Sequence, residues 1–219
     1  MGCPEHHAVS DVASVPIRIL VVDDHPLLRD GIAAVLSAQP DLLPVGEAAD
    51  GLQALQAYRA LRPDLVLLDL QLPGMSGIDV IVALRKEFPQ ARIVVVTASR
   101  GDVQAVRALE AGASGYLLKS ALRRELVETV RAVYHGRRQV QAEVAADIAE
   151  HLLGDSLSAR EIQVLRSVAA GNSNKAVAAL LAIAEETVKA HMKNILCKLG
   201  ARDRTHAVAI ALKRGIIDL

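Results

Sequence analysis

The sequence predicts two domains: an α/β domain on a doubly wound, five-stranded parallel sheet, followed by a small all-α domain of four helices. Three observations carry this. Between Ile17 and His135, short aliphatic runs alternate five times with amphipathic segments, the signature of a parallel sheet covered by helices on both faces. From Gly154 onward no strand pattern occurs, and breaks at Gly171-Asn172, Ala182 to Ala184 and Gly200 are spaced at helix length. The 219 residues, 52% of them hydrophobic, suffice for two cores, which must be aliphatic because aromatics make up only 2%.

Met1 to Pro16 lacks the basic start and apolar centre of a signal peptide and is expected to be a loose tail, residues 1–16. Strands are expected at Ile17 to Val22, Leu43 to Glu47, Leu65 to Leu68, Ile93 to Val96 and Gly115 to Leu118. Helices between and after them are expected at Pro26 to Ser37, Gly51 to Leu61, Gly77 to Glu87, Asp102 to Ala111 and Ala121 to His135. These elements make up a first domain at residues 17–135. The pattern stops at Gly136-Arg137-Arg138, so residues 136–155 read as a linker with a weak amphipathic stretch from Ala142 to Leu153. In the second domain, residues 156–219, Ser158-Ala159-Arg160-Glu161 is a capping box ahead of the apolar series Ile162, Leu165, Val168 and Ala169. Ser173 is placed to cap Asn174 to Leu181, a third helix runs from Ala184 to Leu199, and a fourth follows Gly200.

Bulk composition narrows the partners. A formal charge of zero conceals an asymmetry: Lys and Arg outnumber Asp and Glu from Asp155 onward, and residues 1–154 carry the matching acidic surplus. That split suggests a cation-binding module joined to one that meets a polyanion. Scarce aromatics argue against stacking platforms for single-stranded nucleic acid. Cys3 and Cys197 are too few for a disulfide framework or zinc site, which points to a reducing, cytoplasmic compartment. No apolar run approaches the roughly 18 residues of a membrane span.

Chemistry concentrates at the strand ends. Asp23 and Asp24 follow the first run, Asp69 the third, Thr97 the fourth and Lys119 the fifth. The carboxyl edge of an open parallel sheet is where ligands bind, so these groups can share one pocket. Clustered carboxylates raise one another's pKa unless a counter-charge intervenes, and Mg²⁺ with its preference for oxygen ligands supplies one. Lys119 and the Thr97 hydroxyl would then receive a phosphoryl group, with Asp69 as nucleophile. Singly, each residue has a plainer reading: the Asp pair caps the helix at Pro26, Lys119 is solvated, Thr97 ends a strand, and Tyr116 is a core ring. Their convergence on separate strand ends favours the pocket.

Residues 17–135 resemble a response-regulator receiver domain, a flavodoxin-like fold. The resemblance rests on Asp23-Asp24, on Asp69 followed by Leu72-Pro73-Gly74-Met75-Ser76-Gly77, on Thr97-Ala98, and on Ala111 through Lys119. It implies that Asp69 accepts a phosphoryl group from a histidine kinase. It also implies that Asp23, Asp24 and the Gln71 backbone carbonyl help Asp69 hold Mg²⁺, that Thr97 and Lys119 bind the phosphoryl oxygens, and that Tyr116 turns inward when Thr97 moves. Two departures are Ser120, where many receivers have a cis proline, and Leu72, where methionine is common.

The helix expected from Ala184 to Leu199 has an apolar stripe, Val188, Met192, Ile195, Leu196 and Leu199, and an opposite face with Lys189, Ala190, Lys193, Asn194 and Cys197. Two lysines one turn apart around a small side chain fit the major groove, about 12 Å wide. A solvated surface helix is the alternative. Residues 156–219 resemble a LuxR-type helix-turn-helix domain through Leu157 to Glu161, Ala170 to Lys175, Thr187 to His191, Lys198 to Ala201 and Arg204 to Ala207. The resemblance places Lys189, Ala190 and Lys193 toward bases or nearby phosphates, and Thr187, His191 and Lys175 toward the DNA backbone. Ala176 and Ala184 stand where the family usually has glutamate and serine, and Glu185 and Glu186 bring negative charge near DNA. Modest intrinsic affinity with a need for dimerisation is therefore expected.

Together the domains resemble the NarL/FixJ family of two-component transcription regulators. The resemblance implies a cytoplasmic phosphoprotein, not an enzyme beyond slow autodephosphorylation, whose partners are a sensor histidine kinase, promoter DNA and a second copy of itself. An aspartyl-phosphate phosphatase would usually carry a second Asp at Gln71. A constitutive DNA-binding regulator with a receiver used only for dimerisation is the other alternative.

Overall fold

The structure, a computed structural model, describes residues 15–98, 101–153 and 157–217; the expected tail lies outside them up to position 14. The first domain runs β1 (Ile17–Val22), α1 (Pro26–Ser37), β2 (Leu42–Ala48), α2 (Gly51–Leu61), β3 (Leu65–Leu68), α3 (Gly77–Glu87), β4 (Ile93–Thr97), α4 (Asp102–Ala111), β5 (Gly115–Leu118) and α5 (Leu122–Tyr134). A 3₁₀ turn, Lys119–Ala121, stands between β5 and α5. Then come β6 (Gln139–Val140) and α6 (Ala142–Leu153), followed by α7 (Ala159–Ala169), α8 (Asn174–Leu181), α9 (Glu185–Leu199) and α10 (Arg204–Lys213).

Among the described residues the sheet has six strands in the order β2-β1-β3-β4-β5-β6, with every pair parallel, and this corrects the expectation of five. The sixth strand pairs Gln139 with Gly115 and Val140 with Tyr116. It has only two residues, one of them polar, so it leaves no aliphatic run to detect. The Gln141 side chain prolongs the ladder by accepting from the Leu118 amide at 3.2 Å. At the opposite edge, β2 carries Pro44, and its pairing with β1 slips between Ile19 and Leu20.

Strand residues alternate between two cores, as side chains of period two must. Leu20, Val22, Val66, Leu68, Ile93 and Val95 pack with the apolar faces of α2, α3 and α4. Ile19, Val21, Leu65, Leu67, Val94 and Val96 pack with α1 and α5. Burial on both faces explains why the strands read as unbroken aliphatic runs. Each fully buried aliphatic side chain contributes about 1.5–3 kcal/mol, enough to hold the strand ends rigidly in register.

Helices α7 to α10 enclose a separate core of Val164, Leu165, Val177, Val188, Ile195, Ala207 and Ala211, among others. The capping box is present: Ser158 accepts from the Glu161 amide, and the Glu161 carboxylate accepts from the Ser158 amide at 2.7 Å. The same carboxylate meets Lys198 Nζ at 2.8 Å, tying α7 to α9 although Glu161 is only 4% exposed. Burial raises its pKa, but Lys198 and the Ser158 hydrogen bonds outweigh this and hold it below the ordinary glutamate range. Glu161→Ala is expected to cost about 1–3 kcal/mol at neutral pH, through the lost capping box and the lost ion pair with Lys198. A depressed folded pKa means this contribution is complete above a pH of about 4.3 and fades as pH falls through the lowered value. Thermal unfolding of both proteins at pH 7 and in acid checks the magnitude and the convergence.

The two domains touch where the start of α4 meets the end of α10. Asp102, 6% exposed, receives Arg214 through Nε at 3.0 Å and Nη2 at 2.5 Å. A Cβ on Gly101 would lie 2.8 Å from the Arg214 carbonyl oxygen, and Val103 packs against the second domain's core.

Candidate phosphoryl-acceptor site and nucleic-acid interface

Strand order places the chemistry. The chain leaves β1 toward one sheet edge and leaves β3 toward the other, so β1 and β3 flank the switch point where a crevice opens at the carboxyl ends. Asp23 stands at the end of β1 and Asp69 at the end of β3, joined in register because the Asp69 amide donates to the Val22 carbonyl at 2.9 Å. Both are buried, 1% and 2% exposed, whereas Asp24 and His25 are exposed at the mouth. Lys119, from the end of β5, reaches both buried carboxylates: Nζ is 2.7 Å from Asp69 Oδ2 and 2.8 Å from Asp23 Oδ2.

Burial pushes the Asp69 carboxyl above its ordinary range, with Lys119 and the Gln71 amide opposing. For Lys119 burial works against the charge, but its ion pair with Asp23 and its hydrogen bond to Asp69 prevail and raise its pKa. The ammonium therefore stays charged. The Gln71 amide donates to Asp69 Oδ1 at 3.2 Å. Thr97 is fully buried at the end of β4. The Tyr116 ring is also inside, 1% exposed, and its phenol is pushed up by burial and by the Asp69 charge. Gly77 is a close approach: a Cβ there would strike the Asp69 carbonyl oxygen and lie 2.6 Å from Leu70 Cα.

The residues present fit a divalent cation. Asp23, Asp24, His25 and Asp69 each offer a ligand atom, all within 4.8 Å of one another. Three carboxylates face one lysine, a negative surplus that a divalent ion matches. Asp23 Oδ2, although buried, accepts no aligned hydrogen bond despite its ion pair. Oxygen donors of this hardness suit Mg²⁺. His25 is a group the sequence reading missed. Its Nδ1 lies 2.6 Å from Asp24 Oδ1 and 3.2 Å from Asp23 Oδ1, and its one sequence signal is its adjacency to the acidic pair. The structure also places His25 at the N-cap of α1 with no side-chain cap, so the Asp pair is not the helix cap.

In the second domain α9 buries Val188, Met192 and Ile195 and exposes Thr187, Lys189, Ala190, Lys193, Asn194 and Cys197. Lys175 on α8 is exposed, and His191 is half-buried. Ala184 caps α9 without a side-chain hydrogen bond, as expected from its methyl group. Lys189 is engaged on its own helix, with Nζ 2.7 Å from Glu186 and 3.7 Å from Glu185. Among the described residues no helix is long and apolar enough to cross a membrane.

Comparison with known proteins agrees with both halves. Residues 19–131 match the response regulator receiver domain family, and residues 155–211 match the bacterial regulatory proteins of the luxR family. The chain is 36% identical to the response regulator protein VraR of Staphylococcus epidermidis, with 92% of this chain and 99% of that one aligned. It is also 36% identical to the transcriptional regulatory protein LiaR of Bacillus subtilis, covering 92% and 100%. Among solved structures, the response regulator ChrA of a heme-sensing two-component system aligns at 36% identity and a TM-score of 0.56, over 93% of this chain and 100% of that one. RcsB in complex with DNA shares the fold at 23% identity and a TM-score of 0.72, over 90% and 98%. The chain therefore belongs to the response regulators of the NarL/LuxR family, a receiver domain followed by a helix-turn-helix DNA-binding domain that regulates transcription.

Proposed function

We propose that a sensor histidine kinase phosphorylates Asp69 and that this controls dimerisation and sequence-specific binding to promoter DNA. The supporting observation is the meeting of Asp23, Asp69 and Lys119 at the switch point of the sheet. An Asp69 carboxylate oxygen attacks the phosphorus of a phosphohistidine, the N–P bond breaks, and an acyl phosphate forms on Asp69. Lys119 holds one oxygen of the arriving group, and the Thr97 hydroxyl donates to another. Asp23, Asp24 and Asp69, with the Gln71 carbonyl, would hold Mg²⁺, which offsets charge on the phosphoryl oxygens when bound. Tyr116 follows Thr97. Slow hydrolysis of the acyl phosphate is the one reaction the chain would perform on itself.

The division of labour follows a receiver at residues 17–135, its sheet completed by β6 from the connecting segment 136–155, and a DNA-binding domain at 156–219, acting in the cytoplasm. Lys189, Ala190 and Lys193 face the major groove, and Thr187, Lys175 and His191 the sugar-phosphate backbone. DNA footprinting with the full chain, with and without a small phosphodonor and Mg²⁺, tests the reading. Protection strengthened by the phosphodonor supports it, and protection indifferent to it favours a constitutive DNA-binding regulator.

A further inference from the structure

Resting on the DNA-binding reading above, the outward face of α9 specifies more than contact with DNA. On α9, Glu186, Ala190, Lys193 and Cys197 recur at i, i+4, i+7 and i+11, the stripe directly opposite the buried Val188, Met192 and Ile195. Glu186 occupies the first turn, the part of a recognition helix that meets base edges. Its side chain is 82% exposed and bonded to Lys189, whose Nζ lies 2.7 Å from Glu186 Oε1. The negative charge favoured at a helix N-terminus is already supplied by Glu185 beside it. A carboxylate on the groove-facing stripe is repelled by phosphates unless it meets a hydrogen-bond donor. In the major groove the donors are the amino groups of cytosine and adenine, and glutamate suits cytosine N4.

We propose that the Glu186–Lys189 ion pair reads a single C·G base pair, with Glu186 accepting from cytosine N4 and Lys189 donating to guanine O6 and N7. The fit is one of spacing as well as charge. Cytosine N4 and guanine O6 are hydrogen-bonded to each other in the base pair, about 2.9 Å apart, and the two protein heads stand at a similar separation. Guanine offers a lysine two acceptors, whereas thymine offers one beside a methyl group, which selects C·G over A·T. The ion pair also explains how a carboxylate is tolerated there: Lys189 neutralises it before DNA arrives.

The test is selection from a randomised double-stranded DNA library by the full chain, in the presence of a small phosphodonor and Mg²⁺, for wild type, Glu186→Ala and Glu186→Gln. Because Glu186 is so exposed, equal thermal midpoints of the three proteins are expected. The wild-type motif should contain one C·G pair per half-site whose preference falls at least about fivefold in Glu186→Ala. In Glu186→Gln the preference should move to A·T, since an amide pairs with adenine. A motif left unchanged by Glu186→Ala, with or without a uniform rise in affinity, overturns the proposal. So does a change confined to a pair other than C·G. If wild type enriches no motif while variants behave alike, the DNA-binding reading itself falls.

Discussion

Asp69→Asn is expected to abolish phosphoryl uptake, leaving no mass increase after incubation with a small phosphodonor and Mg²⁺ where the wild type gains one phosphoryl group. The amide of asparagine is a poor nucleophile, and the neighbouring carboxylates, Asp23 and Asp24, are held differently. Asp23 is fixed by the His25 amide at 2.9 Å and by Lys119, and Asp24 lies at the mouth. The exchange also removes the charge that Lys119 was placed to meet. Rate losses on removing a group that acts as nucleophile commonly reach several orders of magnitude. Uptake at an undiminished rate would place the acceptor elsewhere. A promoter response in cells unaltered by Asp69→Asn would mean that the receiver serves dimerisation alone.

Arg214→Ala is expected to part the two domains while leaving each folded. The guanidinium makes a paired contact with a carboxylate that is nearly inaccessible, and breaking such a pair by removing one partner costs about 3–5 kcal/mol. That cost persists only while the domains stay docked. Undocking returns Asp102 to water, so the free energy appears as separation and not as melting. Small-angle X-ray scattering should show a larger radius of gyration, with the thermal transitions of both cores preserved. The double exchange Asp102→Ala with Arg214→Ala should recover part of the docked population, because it removes both members of the ion pair together. Unchanged scattering for Arg214→Ala would show that Val103 and the close packing of Gly101 suffice without the ion pair. In the sequence, three positions separate Thr97, at the end of β4, from Gly101 at the junction.

Much of this was legible because the strands are buried on both faces. The limits of β1, β3 and β5 coincide with the aliphatic runs, and α1, α2, α3 and α4 begin and end where Pro26, Gly51, Gly77 and Asp102 and the following breaks predict. The residues now gathered at the carboxyl edge were recognisable for the same reason: each directly follows or ends a run. What escaped has a shared cause. The strand β6 is defined by its neighbour, its two residues pairing with Gly115 and Tyr116, and carries no periodicity of its own. The meeting of Asp102 with Arg214 joins residues far apart in the chain and leaves no local pattern. The ion pair between Lys189 and Glu186 was not legible either, because periodicity shows which side of a helix a residue occupies and not which neighbour its ammonium meets.

The rims of the sheet limit how copies of this protein meet. One rim carries a proline, which withholds an amide, beside a register slip, and the other is a strand of two residues. Neither offers the straight row of unsatisfied backbone groups that strand addition requires. Two receivers that associate must do so through side chains on helical surfaces, and an assembly of that kind can be dissolved by single surface substitutions in a way that a shared ladder could not.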